Sequence, residues 1–352
     1  MSRARPVKHF SLHRIGETEL RVIADVEDGV LHLIDIQIQV LQKFSNDVRW
    51  QRDGNAARTI TLFILRNLES LVQHLAAQAA LPSMGWGRAR PILNVYDLAH
   101  PTASNIFVNQ EGMERAGYWN DEPALSALLA HELAHPLAEC ETTHALRNLT
   151  LILHPRFAAN LFRPDANAAR VREWKRTLEQ QVRELFDKLC LYGPREVLAN
   201  ALVLELRFTD ALLHLDVENV RRAAASIVIR PALQEQLQAQ VETERVLTHR
   251  AAAALLALGD MQSHLDFALE TAAFYRQGKL AEAKMLERAF QVDVLAHVDP
   301  EVRAVYPALC DQLAQLPQNL TRAQTALQVK QLAGILDRAL RAKGIGMECQ
   351  VV

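Results

Sequence analysis

Leu128-Leu129-Ala130-His131-Glu132-Leu133-Ala134-His135 is an H-E-x-x-H motif inside an apolar run of helical pattern. Residues four apart lie one turn apart on the same helix face, so His131 and His135 can direct two imidazole nitrogens at one tetrahedral zinc. Glu132 falls about 100° round the helix, beside such a metal, where a carboxylate accepts a proton from water. By chance such a motif arises in a chain of this composition on the order of a few per cent of the time. Upstream, Asn120-Asp121-Glu122-Pro123 reads as the start of the motif helix, with a capping side chain and a proline in the first turn. Downstream, Pro136 removes the hydrogen bond to the carbonyl of Glu132 and disfavours helical geometry at His135. A helix ending at His135 would still carry both histidines.

Further out, Ile92 to Tyr96 and Asn105 to Val108 read as short strands joined through Asp97 to Ser104, behind a loop from Ser83 to Pro91. Arg58 to Leu81 places Leu62, Leu65, Leu68, Val72 and Leu75 at helical spacing before Pro82, which predicts a long amphipathic helix. Nearer the start, Glu19 to Val26 and Val30 to Ile38 alternate in polarity around Glu27-Asp28-Gly29, a hairpin signal whose second half also fits a helix. From Ala168 onward the pattern is almost continuously helical, with breaks expected at Gly193-Pro194, Arg230-Pro231, Pro300, Pro307, Pro317 and Gly344. Phe267 to Phe290 looks like one helical hairpin without a second copy, so a repeat array is not expected. The expected fold is mostly α (α+β), with a core of residues 1–242 holding a small sheet and a helical C-terminal region of residues 243–352.

A catalytic zinc takes a third protein ligand and leaves one position open. Glu196, at the start of an amphipathic helix after Gly193-Pro194, is the first choice, and Glu139 and Glu141 are minor candidates. Asn200, one turn beyond Glu196, can hydrogen-bond a ligand histidine and fix its ring. His144 lies too far from His135, with no intervening glycine, for the metzincin pattern. Tyr192, His214 and Arg207 each have the chemistry to stabilise an oxyanion, and spacing does not separate them.

The order strand, strand, H-E-x-x-H helix and later Glu196-Val197-Leu198-Ala199-Asn200 resembles the gluzincin metallopeptidases, and most of all the CAAX-prenyl-endopeptidase-like family. The similarity covers roughly residues 90 to 210 and includes Ile92-Leu93-Asn94-Val95-Tyr96, Asn105-Ile106-Phe107-Val108-Asn109 and Gly112-Met113. It implies a zincin-like core in which His131, His135 and Glu196 bind Zn2+ and Glu132 activates water to hydrolyse a peptide bond. Asn200 would stand where that family usually has an aspartate, and an edge strand near Asn105 to Val108 would align the substrate. The chain departs from the family at Pro136, at Ala134 where glycine is common, and in lacking the transmembrane helices of many members.

Composition bounds the partners. With 39 basic and 41 acidic residues, the net charge of −2 gives no reason to expect nucleic acid. No apolar run approaches the roughly 20 residues of a membrane span, and the N-terminus does not read as a secretory signal. Cys140, Cys190, Cys310 and Cys349 are widely spaced, which fits reduced thiols and a cytoplasmic location. A peptide or protein substrate is expected, with the helical C-terminal region available to a protein partner. The rival reading is a non-catalytic helical scaffold carrying a decayed motif.

Overall fold

A hairpin opens the chain in the computed structural model, which describes residues 7–52, 56–68, 91–98 and 100–352. Strands β1 (His9–Ile15) and β2 (Thr18–Ala24) pair antiparallel across Gly16. Helix α1 (Val30–Ser45) and the short α2 (Val48–Arg52) follow, then β3 (Thr59–Leu65). Strands β4 (Ile92–Asp97) and β5 (His100–Asn109), the short α3 (Gln110–Arg115) and the motif helix α4 (Glu122–Leu137) come next. The five strands form one mixed sheet in the order β1-β2-β3-β5-β4. β2, β3 and β5 run parallel, and β4 is antiparallel to β5 at the edge. On one face Leu20, Val22, Ile60, Leu62, Ile64, Ile106 and Val108 are buried. Helix α4 packs on α1, β4 and β5.

The expected turn at Glu27-Asp28-Gly29 is instead the entry to α1. Val30, Leu33, Ile34, Gln37, Val40, Leu41 and Phe44 are buried at helical spacing. Nine residues of apparent alternation match a strand only because the window is too short to separate the two periods. The hairpin lies one element earlier. The helix expected over Arg58 to Leu81 is a strand in its first part: Thr-Ile-Thr-Leu-Phe-Ile-Leu forms β3, flanked by β2 and β5. Its β-branched and aromatic residues suit a central strand, and Ile60, Leu62 and Ile64 face the core. Residues 69–81 of that expected helix lie outside the described residues. β5 begins at His100, so the connection from β4 is shorter than expected. Asn105 to Val108 sit between β3 and β4, so among the described strands β5 is not at the edge.

The remaining elements are α5 (Glu141–Arg147), β6 (Leu151–Phe157), α6 (Ala168–Phe186) and a π-helical segment (Asp187–Tyr192). Then come α7 (Gly193–Glu205), α8 (Thr209–Ile227), α9 (Arg230–Glu244) and α10 (His249–His264). The chain closes with α11 (Phe267–Arg276), α12 (Leu280–Asp293), α13 (Pro300–Ala314), α14 (Arg322–Ala342) and β7 (Ile345–Val351). The fold is mostly α with a small mixed sheet. By contacts the chain divides into two units, residues 1–138 with 202–215, and residues 139–201 with 216–352. The boundary expected near residue 242 falls inside α9. β6 and β7 pair antiparallel in a second sheet that the sequence pattern did not announce.

Gly193-Pro194 does not break the helix. Gly193 takes ordinary helical angles, φ −53° and ψ −43°, and its N–H reaches back to the carbonyl of Lys188. That five-residue bond is the wider turn of a π-helix, and it carries the chain through a proline that supplies no N–H. Pro307 likewise lies inside α13, whereas Pro231 and Pro300 sit in first turns and Gly344, at φ +84°, ends α14. The segment Phe267 to Phe290 is the helical hairpin α11–α12, as expected. All four cysteines are free thiols. No described helix is long and apolar enough to cross a membrane.

Within this second unit, burial, with Asp216 and Asp266 nearby, pushes the Glu270 carboxyl well above its ordinary value near 4.5. Its Oε1 accepts from Asn219 Nδ2 at 3.3 Å, and among the described residues its buried Oε2 meets no donor. The folded protein therefore holds a proton that the unfolded chain has already lost. Stability from the neutral group is complete below about pH 4.5 and declines as pH rises towards the folded value. Glu270→Gln, which cannot ionise, is expected to raise the melting temperature at pH 8 and leave it unchanged near pH 4. An equal shift at both pH values would exclude the ionisation as its cause.

Candidate metal centre

Helix α4 begins as its sequence dictates. Asp121 adopts an extended conformation, its Oδ1 accepts from the Ala124 N–H at 3.1 Å, and Pro123 occupies the first turn. At the other end the helix does not stop at His135. It runs through Pro136 to Leu137, and the Ala138 N–H closes on the Ala134 carbonyl at 2.8 Å. His135 thus keeps helical geometry despite the proline that follows it.

The histidine side chains converge. His131 Nε2 and His135 Nε2 are 3.0 Å apart, with rings nearly perpendicular at 82°. Two nitrogens bound tetrahedrally at zinc distances stand roughly 3.3 Å apart, so the pair is close to the spacing of a metal clamp. Glu196, in the first turn of α7, brings a carboxylate oxygen to them, and one ligand atom from each of the three lies within 4.8 Å of the others. Among the described residues this is the group of three His, Cys, Asp or Glu side chains able to hold a metal. His131 and Glu196 are half-buried and His135 is buried. Two imidazoles and one carboxylate are a donor set that zinc accepts while keeping a fourth position for water.

The π-helical segment sets which face α7 presents. An inserted residue turns everything after it by about 100° about the helix axis. The face of α7 that carries Glu196 is therefore set independently of the face that α6 buries. Asn200 is buried one turn beyond Glu196 on the same face, and Tyr192 lies one turn before it. Burial, reinforced by Asp187, raises the Tyr192 hydroxyl above its ordinary value.

Glu132 is 2% exposed, and its surroundings are specific. The main-chain N–H of Asn94, in β4, donates to Glu132 Oε2 at 3.0 Å, and the Asn94 side-chain Nδ2 donates to the Glu132 carbonyl at 2.7 Å. Sequence reasoning did not single out Asn94. Its signal was a polar residue in the middle of an otherwise apolar strand, which spacing alone does not connect to the motif.

The other candidates are placed elsewhere. Glu139 is engaged by Arg147 and by the Thr143 hydroxyl at the start of α5, and Glu141 is exposed in the first turn of that helix. His144 lies 3.6 Å from Glu139. His214 Nε2 faces Asp121 Oδ2 at 2.9 Å, at the N-terminus of α4, about 15 Å along the helix axis from His131. Arg207 is exposed beyond the end of α7 in a left-handed conformation, φ 65°. Of the three oxyanion candidates, Tyr192 is the one on the face of Glu196.

No family model, curated protein or solved structure matches this chain.

Proposed function

We propose that this chain is a zinc-dependent peptidase of the gluzincin type, with a zincin-like core in which His131, His135 and Glu196 hold the metal. The observation that carries the reading is the convergence of those three side chains to within 4.8 Å. A zinc ion held there would polarise a peptide carbonyl and lower the pKa of a bound water. Glu132 lies on the same helix beside the ligand pair and serves as general base, taking a proton from the attacking water and returning it to the leaving nitrogen. In this reading Asn200 would orient a ligand histidine through a hydrogen bond, and Tyr192 is the candidate donor to the oxyanion. The substrate we propose is a peptide or protein chain, whose scissile carbonyl the metal would polarise.

Metal content tests this directly. Purified wild-type protein, dialysed against a weak chelator, is expected to retain about one zinc per chain by elemental mass spectrometry, from the three-ligand stoichiometry. His135→Ala and Glu196→Ala should each lose most of it. Wild type that holds no zinc, or a Glu196→Ala variant that binds as wild type does, would overturn the three-ligand site, and the former would favour the scaffold.

A further inference from the structure

Pro136 stands four residues after Glu132 in a helix that continues past both. In an uninterrupted helix the amide of residue 136 would donate to the Glu132 carbonyl, and proline has no N–H to give. Asn94 supplies the replacement. Its Nδ2 reaches that same carbonyl at 2.7 Å, while its main-chain N–H holds Glu132 Oε2 at 3.0 Å. The sheet leaves that N–H available. The Asn109 N–H donates to the Pro91 carbonyl at 2.9 Å, so residues 91, 93 and 95 turn their hydrogen-bonding groups towards β5. Residues 92, 94 and 96 turn theirs away from β5, on the side where Glu132 receives the Asn94 N–H.

We infer that Asn94 is the positioning residue of Glu132: it restores from the neighbouring strand the hydrogen bond that Pro136 denies the helix, and the same grip aims the carboxylate. The two donors come from one residue, so strand and helix are fixed at two points of Glu132, its main chain and its side chain. Pro136 is then part of the arrangement. By removing the intrahelical donor it frees the carbonyl for a contact that docks α4 on β4. The aim of the carboxylate matters catalytically only if Glu132 is the general base proposed above; the exchange of hydrogen bonds stands apart from that reading.

A double-mutant cycle on the full chain separates the two. Wild type, Asn94→Ala, Pro136→Ala and the double variant are unfolded in urea. Asn94→Ala is expected to lower the midpoint clearly in the wild-type background and by less than half as much beside Pro136→Ala, where the introduced alanine supplies the N–H. Equal losses in the two backgrounds would overturn the exchange. Should Asn94→Ala not fold, Asn94→Val, which suits a strand and lacks the donor, takes its place. Kinetics are then read on the best-cleaved member of a quenched-fluorescent peptide library. Asn94→Ala should lower kcat about tenfold, with KM and zinc per chain unchanged, and kcat should stay low in the double variant although its stability recovers. Recovery of kcat together with stability would make Asn94 a structural residue only. If wild type cleaves no peptide, the peptidase reading fails, and the urea cycle still decides the exchange.

Discussion

Glu132→Gln is expected to lower peptide hydrolysis by about a thousandfold, the usual worth of a positioned general base, while zinc content stays at the wild-type level. The substitution keeps size and shape and removes only the capacity to take a proton. The amide oxygen of the introduced glutamine can still accept from the Asn94 N–H that now meets Glu132 Oε2 at 3.0 Å, and the main-chain contact to Asn94 Nδ2 is untouched. The fold and the His131–His135 pair therefore have no reason to change. Loss of metal-supported hydrolysis with retained zinc would assign Glu132 the proton transfer, because a ligand or a structural residue would take the zinc or the stability with it. Residual hydrolysis near the wild-type rate would mean that another group takes the proton. A wild type that binds zinc but cleaves nothing would turn attention to a different hydrolysable bond.

What the sequence discloses of this site follows from the length scale of each interaction. His131, Glu132 and His135 lie within a single helical turn, so their mutual placement is local geometry and is legible from spacing. The cap at Asp121 is legible for the same reason, and Ile92 to Tyr96 and Asn105 to Val108 are legible as strands, though not in their pairing. Glu196 is marked in the sequence only by its place at the head of a later helix, and the face that helix presents follows a π-helical segment for which no residue pattern is diagnostic. Asn94 is the clearest case of information the sequence withholds. The contact joins groups 38 positions apart, and one of its partners is a carbonyl that every residue possesses. The fold is harder to read where period and length conflict. Val30 to Ile38 alternates like a strand over nine residues and becomes a helix because the buried set continues through Val40, Leu41 and Phe44. Arg58 to Leu65 goes the other way: Ile60, Leu62 and Ile64 alternate into the core as strand residues, while Leu62, Leu65 and Leu68 also fit a helical template.

Gly29→Ala is the stability counterpart of Glu132→Gln, and a large loss is expected from two independent causes. Gly29 precedes α1 at φ +77°, where an L side chain costs roughly 1–2 kcal/mol. A Cβ built there would lie 2.7 Å from Trp119 Nε1 and 2.9 Å from two ring carbons. Trp119 is itself 7% exposed, so the indole is a packed ring with little room to retreat, and overpacking of this kind typically adds about 1–3 kcal/mol. The position of Trp119 gives the clash a wider consequence. It stands two residues before Asp121, the side chain that caps α4, and α1 packs on α4. Displacing the indole displaces the entry to the helix that carries the histidines. Urea unfolding is expected to show a lower midpoint at unchanged slope, with the zinc affinity of the folded variant reduced in parallel. The companion variant Trp119→Phe, paired with Gly29→Ala, separates the causes: the smaller ring relieves the contact and leaves the backbone strain. If Gly29→Ala costs as much in the Trp119→Phe background as beside the native indole, the left-handed φ is the whole effect; if its cost falls by half or more, the close approach of glycine to the indole is what joins the first helix to the motif helix.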